Sequence, residues 1–155
     1  MLSCASSAAR QPSPDPVLVL DTDHLTELGY GGAPGLRLSA RLEQADQPVV
    51  ISIISAEERL RGMLARLNQI KKESELVLGY RALGQLITVL AGFDCLPFEA
   101  GAAACFTRLR KEGVRVATMD LRIACIVLEH DALLLTRNTV DFAKVPGLRY
   151  ENWLV

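Results

Sequence analysis

Four acidic residues stand where short apolar runs end or where the helix after such a run begins. Asp21 ends the run over residues 17–20, and Glu58 follows the run over 49–55. Asp120 opens the apolar stretch 120–128, and Asp141 comes shortly after the run over 132–136. In an open parallel α/β sheet the carboxyl ends of the strands share one edge, and ligands bind there. Carboxylates placed at that edge from four distant segments converge. They repel one another near neutral pH unless a cation compensates them or some hold a proton. Hard oxygen donors in a partly hydrated setting favour Mg²⁺, with Mn²⁺ able to substitute. Thr22, Thr136 and Asn138 add two hydroxyls and an amide at the same edge as supporting groups.

Each acid also has a purely structural use. Ser55-Ala56-Glu57-Glu58 reads as a capping box with Ser55 at the N-cap and Glu58 at N3. Asn138-Thr139-Val140-Asp141 is a weaker version of it. Asp120 suits the positive end of a helix dipole, and Asp21 suits the cap of the helix that follows it. Capping and metal binding are compatible, because a helix N-terminus orients the carboxylate it holds.

Other chemistries lack their motifs. There is no G-x-G-x-x-G, no phosphate-binding G-x-x-x-x-G-K, and no G-x-S-x-G elbow. Cys4, Cys95, Cys105 and Cys125 have no metal-ligand spacing, so zinc is not expected. Cys105 and Cys125 sit in helical apolar patterns and read as reduced core residues. His130 falls near a helix end, where it suits a C-terminal cap. His24 either flanks the acidic site or lies on the surface.

The elements that must position these groups follow from the hydrophobic pattern. Strands are expected at 17–20, 49–54, 93–96 and 133–136, the continuous apolar runs suiting a parallel sheet buried on both faces. A last edge strand falls near 149–153. Helices are expected from about Leu25 with Thr22 or Asp23 as N-cap, then at 36–44, from Ser55 to about 70, at 73–91, at 99–112 stopped by Gly113, and at 120–130. Gly29 to Gly35 reads as a breaker cluster, and Val140 to Val145 as a short turn element. This alternation predicts a three-layer α/β/α sandwich around a central, mainly parallel sheet. Residues 17–155 form the one domain, and residues 1–16 read as a disordered tail.

At 155 residues and half hydrophobic, the chain can bury one substantial core. Its longest apolar runs are far too short to span a bilayer and no signal h-region is visible, so a cytoplasmic location is expected. The net charge of −1 gives no global basic field for nucleic acid. Arg59, Arg61, Arg66, Arg108 and Arg110 are the local cations available to offset an acidic pocket. The helices over 60–70 and 76–90 carry more apolar residues than a thin sandwich requires. Met63, Leu67, Val77, Tyr80 and Ile87 are expected exposed there, which points to a two-fold homodimer.

Several segments resemble one family. Leu20-Asp21-Thr22-Asp23-His24-Leu25 is similar to the first strand and loop of PIN-domain ribonucleases, which read L-D-T followed by N or D. Residues 51–62 resemble the second motif, a strand followed by Ser or Thr and x-x-E-x-x-x-G, whose spacing selects Glu58 over Glu57. Met119-Asp120-Leu121-Arg122-Ile123-Ala124 resembles the third, and Thr136-Arg137-Asn138-Thr139-Val140-Asp141-Phe142 the fourth. Residues 145–153 look like the family's tail. The resemblance is nearest to the VapC-type toxins of toxin–antitoxin pairs and runs from about Val17 to Trp153. It departs at Asp23, where many members carry Asn, and residues 1–16 have no counterpart.

The resemblance implies a Mg²⁺-dependent endoribonuclease with Asp21, Glu58, Asp120 and Asp141 as catalytic acids. Asp21 and Asp120 would hold the metal, with Glu58 and Asp141 acting directly or through water. It also implies a tRNA or ribosomal RNA loop as target, and a small DNA-binding antitoxin as partner. Two other readings remain open: a catalytically idle PIN-like binding or scaffold module, and a Mg²⁺-dependent phosphatase or DNA nuclease.

Overall fold

A computed structural model describes residues 15–155, so most of the tail expected over 1–16, Cys4 included, lies outside the described residues. Five short strands, β1 (Leu18–Leu20), β2 (Val49–Ser52), β3 (Asp94–Leu96), β4 (Leu133–Leu135) and β5 (Tyr150–Glu151), pair in the order β3-β2-β1-β4-β5. Every pairing is parallel. The connections run outward from β1 through β2 to β3, cross back to β4, and continue to β5. The direction of winding therefore reverses beside β1, which makes its carboxyl end the switch point where such sheets bind ligands.

Strand side chains alternate between two cores. Val19, Val50 and Leu134 face one side, packed by α5 (Ala100–Lys111), α6 (Thr118–Glu129) and α7 (Thr139–Phe142). Leu18, Leu20, Ile51 and Leu135 face the other, covered by Leu25 of α1 (Thr22–Tyr30) and Leu42 of α2 (Ala33–Ala45). Helix α6 is buried through Leu121 and Ile123 to Val127, which explains its almost unbroken apolar sequence. The result is the expected three-layer α/β/α arrangement. No helix among the described residues is long and apolar enough to cross a membrane.

Several boundaries differ from expectation. Helix α3 (Ile53–Gln69) starts at Ile53, not Ser55, because Ser52 occupies the last register position of β2, opposite Leu96. Ser52 is the N-cap: its hydroxyl accepts from the Ser55 amide at 3.0 Å, so Ser55 and Glu58 form no capping box. Helix α1 starts at Thr22, earlier than the Leu25 expected, and is capped by Asp21, as that residue's position suits, rather than by Thr22 or Asp23. Only Gly31 and Gly32 of the expected breaker cluster interrupt the helices, since Pro34 fits the first turn of α2.

Gly35 is required for contact. A Cβ there would sit inside van der Waals distance of the Glu27 backbone carbonyl, so α1 and α2 approach only because it is absent. Gly35→Ala should push the two helices apart and cost about 1–3 kcal/mol, read as a lowered midpoint in urea unfolding.

Helix α4 (Glu73–Ala91) packs on α3 as a hairpin in which only Leu86 of α4 is buried. Val77, Tyr80 and Ile87 are exposed as expected. Leu67 is buried instead, and Met63 half-buried. The absent side chain of Gly79 leaves room for Leu67, whose Cδ2 lies 2.6 Å from where a Cβ would stand.

Candidate active site

Asp21 is the first residue beyond β1, and Thr136 the first beyond β4. Leu20 is paired with Leu135, so the two lie side by side. The ladder continues one step further through Asp21 N–H to Leu135 C=O at 2.9 Å. The Thr136 hydroxyl donates to Asp21 Oδ2 at 2.7 Å, and the Thr22 amide donates to Oδ1 at 2.8 Å. Asp21 and Thr136 are both buried. With one bond on each oxygen, Asp21 keeps further lone pairs for another ligand.

Glu58 lies on the second turn of α3 and accepts from the Thr22 hydroxyl through Oε2 at 2.7 Å. Freed from capping, it bridges α3 to the start of α1. Asp120 sits in the first turn of α6. The Asn138 amide nitrogen donates to Asp120 Oδ2 at 3.2 Å and to Asp141 Oδ2 at 3.1 Å. Its Oδ1 accepts from the Asp141 amide at 3.4 Å, so Asn138 caps α7 as its position suggested.

Burial pushes the Asp21 carboxyl up to about 6, against the opposing bonds from Thr136 and Thr22, and the charges of Asp120 and Asp23 add to the rise. Asp120 is raised by burial first, then by the charges of Glu58 and Asp141. Asp21 and Glu58 are joined through Thr22, and Asp120 and Asp141 through Asn138, so the four acids form two linked pairs at this edge of the sheet. Asp141 is held below its ordinary value by Lys144, whose Nζ donates to Oδ1 at 2.7 Å, and by Asn138. Lys144 lies just past the end of α7, three residues beyond Asp141, a spacing visible in the sequence.

The donor set fits a hard cation. Buried, mutually repelling carboxylates gain from added positive charge, and no sulfur or imidazole donor is among them. Among the described residues no three His, Cys, Asp or Glu side chains are grouped to hold one ion together. Direct ligation by a pair of acids, with water completing the shell, is the arrangement such spacing allows.

The five arginines do not converge. Arg61 pairs with Glu57, and Arg108 pairs with Glu112 at 3.2 Å. Arg110 donates to the Val114 carbonyl at 3.0 Å and stacks on Phe106. Arg59 and Arg66 line a shared groove between α1, α3 and α4. His24 is fully buried, which excludes a surface position; its Nε2 accepts from the Trp153 amide at 3.1 Å. His130 caps α6 as expected, with Nδ1 2.9 Å from the Ile126 carbonyl. Cys125 is buried and Cys105 half-buried, and both are free thiols.

No protein-family model matches the chain. The curated Ribonuclease VapC1 of Haemophilus influenzae (strain R2866) is 26% identical over 105 residues, which cover 68% of this chain and 74% of that protein. Among solved structures, VapBC-1 from nontypeable Haemophilus influenzae aligns with a TM-score of 0.68 and 21% identity, over 90% of this chain and 99% of that chain. DNA-bound VapBC from Salmonella typhimurium aligns with a TM-score of 0.68 and 20% identity, over 89% and 98%. The all-parallel five-stranded sheet gives the chain the PIN-like α/β/α fold of these VapBC structures, and its sequence is similar to that of the curated VapC1 ribonuclease.

Proposed function

We propose that the chain is a divalent-metal-dependent endoribonuclease, the toxin of a toxin–antitoxin pair. The observation that carries this reading is the meeting of Asp21, Glu58, Asp120 and Asp141 at the switch point of a parallel sheet, with Asp21 buried at a raised pKa. The curated relatives named ribonucleases support it, as do the VapBC structures. Flexible loops of structured RNA, in tRNA or ribosomal RNA, offer a backbone that can reach such a pocket.

Asp21 and Asp120 would bind Mg²⁺ or Mn²⁺ directly, with Glu58 and Asp141 contributing through water. When bound, the cation lowers the pKa of a water and offsets charge on the phosphate. Glu58 is the acid placed to orient the attacking water and take its proton, because Oε2 is fixed by Thr22 while Oε1 has no hydrogen bond among the described residues. Asp141 is a poor base by comparison, since Lys144 and Asn138 hold it ionised. Attack forms a bond from the water oxygen to phosphorus, a bridging P–O bond breaks, and the departing oxygen takes up a proton.

Thr136 tunes the pocket. Its hydroxyl opposes the rise in the Asp21 pKa, so Thr136→Val raises that pKa further. The acidic limb of the pH–rate profile should therefore move to higher pH, while a profile identical to wild type would remove Thr136 from this role.

A small DNA-binding antitoxin is the proposed partner, and the exposed apolar side chains of the α3–α4 hairpin are the proposed homodimer surface. Incubation of bulk tRNA and ribosomal RNA with wild type and Asp120→Asn, in Mg²⁺ and then in EDTA, tests the activity. Cleavage confined to wild type with metal is expected. Cleavage that survives EDTA or the substitution would refute the metal mechanism.

A further inference from the structure

We propose that the groove between α1, α3 and α4 holds the single-stranded RNA segment leading out of the acidic pocket, with Arg59 and Arg66 on its phosphates and Tyr30 stacking on a base. The inference rests on the ribonuclease reading and adds a substrate path to it.

The groove starts close to the site, one residue beyond Glu58 on α3 and about one turn beyond Thr22 on α1. The Thr22–Glu58 hydrogen bond joins α1 to α3 at their pocket ends, and the next residues outward on the two helices line the groove. Along α1 the lining passes through Thr26 to Tyr30, about 12 Å from Thr22 at helical rise. Along α3 it passes from Arg59, next to Glu58, to Arg66, about 10 Å further on. The cavity holds about 270 Å³, and no acidic residue lines it.

Two arginines without a carboxylate partner among the described residues line this groove. Arg61, Arg108 and Arg110 are engaged by Glu57, Glu112 and the Val114 carbonyl. Arg59 and Arg66 have no carboxylate partner among the described residues, and the buried Nε of Arg59 has no hydrogen-bond partner. Both guanidinium groups line the groove, and a phosphate oxygen is a charge-assisted acceptor for their outer N–H groups. Tyr30 is 71% exposed at the outer end, an aromatic face held out to solvent. Cations that follow a backbone beside an aromatic platform are the parts with which proteins hold single strands. They also supply the positive charge that the acidic pocket withholds from an approaching phosphate.

The test is binding of a fluorescein-labelled single-stranded RNA of mixed sequence to the full chain, by anisotropy across a salt series, with cleavage of bulk tRNA measured in parallel. Arg59→Gln and Arg66→Gln should each reduce the slope of log K against log salt by about 0.7. Tyr30→Ala should weaken binding about tenfold with the slope unchanged. Arg115→Gln, on the exposed turn between α5 and α6, should match wild type. Arg66 and Tyr30 are exposed, so their variants keep the fold, and unchanged thermal melts verify this. The proposal is overturned if wild type does not bind the RNA, or if both arginine variants keep its slope. It is also overturned if they weaken only a poly-glutamate peptide, which would give the groove to an acidic protein segment. Binding that follows the expected pattern with no cleavage of any RNA would uphold the groove and remove the ribonuclease reading.

Discussion

Asp21→Asn is expected to cut RNA cleavage by at least about 100-fold, or about 2.7 kcal/mol on the barrier, while making the metal-free protein harder to unfold at pH 7. Both effects come from the same burial. The Asp21 carboxyl rises from 3.8 to about 6 on folding, so between those values the folded state binds more protons than the unfolded chain. Stability therefore falls as pH rises through that window, and at pH 7 the full penalty is present. The shift corresponds to about 3 kcal/mol, an upper bound on what the substitution recovers, because Asn accepts from Thr22 and Thr136 less strongly than a carboxylate does. Urea unfolding in EDTA at pH 7 measures the gain. A variant less stable than wild type there would show that the hydrogen bonds to Asp21 outweigh its desolvation.

The second large effect concerns His24. Burial, aided by Arg137, lowers its pKa from 6.5 to about 4. Its Nε2 accepts the Trp153 amide hydrogen, which an imidazolium cannot do because both of its nitrogens carry protons. The unfolded chain binds the proton first, so this contribution to stability is complete above about pH 6.5 and is lost as pH falls toward 4. It amounts to about 3 kcal/mol. The slope is opposite to that of Asp21 over nearly the same range. Asp120 adds to the Asp21 side, reduced by its partial exposure. Wild type should accordingly show almost constant unfolding free energy from pH 4 to 6, and Asp21→Asn a steep loss on acidification. Parallel pH curves for the two proteins would contradict the Asp21 assignment, and a flat curve for Asp21→Asn would contradict that of His24.

The four acids could be picked out because their signal is local: each stands a short way beyond an apolar run or in the first turns of the helix that follows. The sheet was legible for the same reason, with Val19 and Ile51 inside runs long enough for a buried strand and too short for a helix. The start of α3 was not, because Ser52 and Ser55 are both sound caps. What selects Ser52 is the end of its pairing with Leu96 in β3, a strand more than forty residues away. The fate of His24 was equally hidden, since its partner Trp153 is 129 positions distant. Leu67 carried the pattern of an outward-facing residue, and its burial depends on an absent side chain at Gly79 on the next helix. The arginines could be named but not sorted, because pairing with Glu57 or Glu112 depends on which rotamers the folded surface leaves free.

The bond from Thr136 to Asp21 spans 115 positions, and it constrains when the site can be completed. Synthesis delivers β1, β2 and β3 well before β4, yet β1 is the middle strand and lies open along one side until β4 docks. Until then Asp21 lacks the hydroxyl that opposes its protonation, and Asn138 and Asp141 have not emerged from the ribosome. A growing chain carries no finished pocket, however much of its first half has folded. The last quarter of translation thus sets the earliest moment at which the four acids can act together.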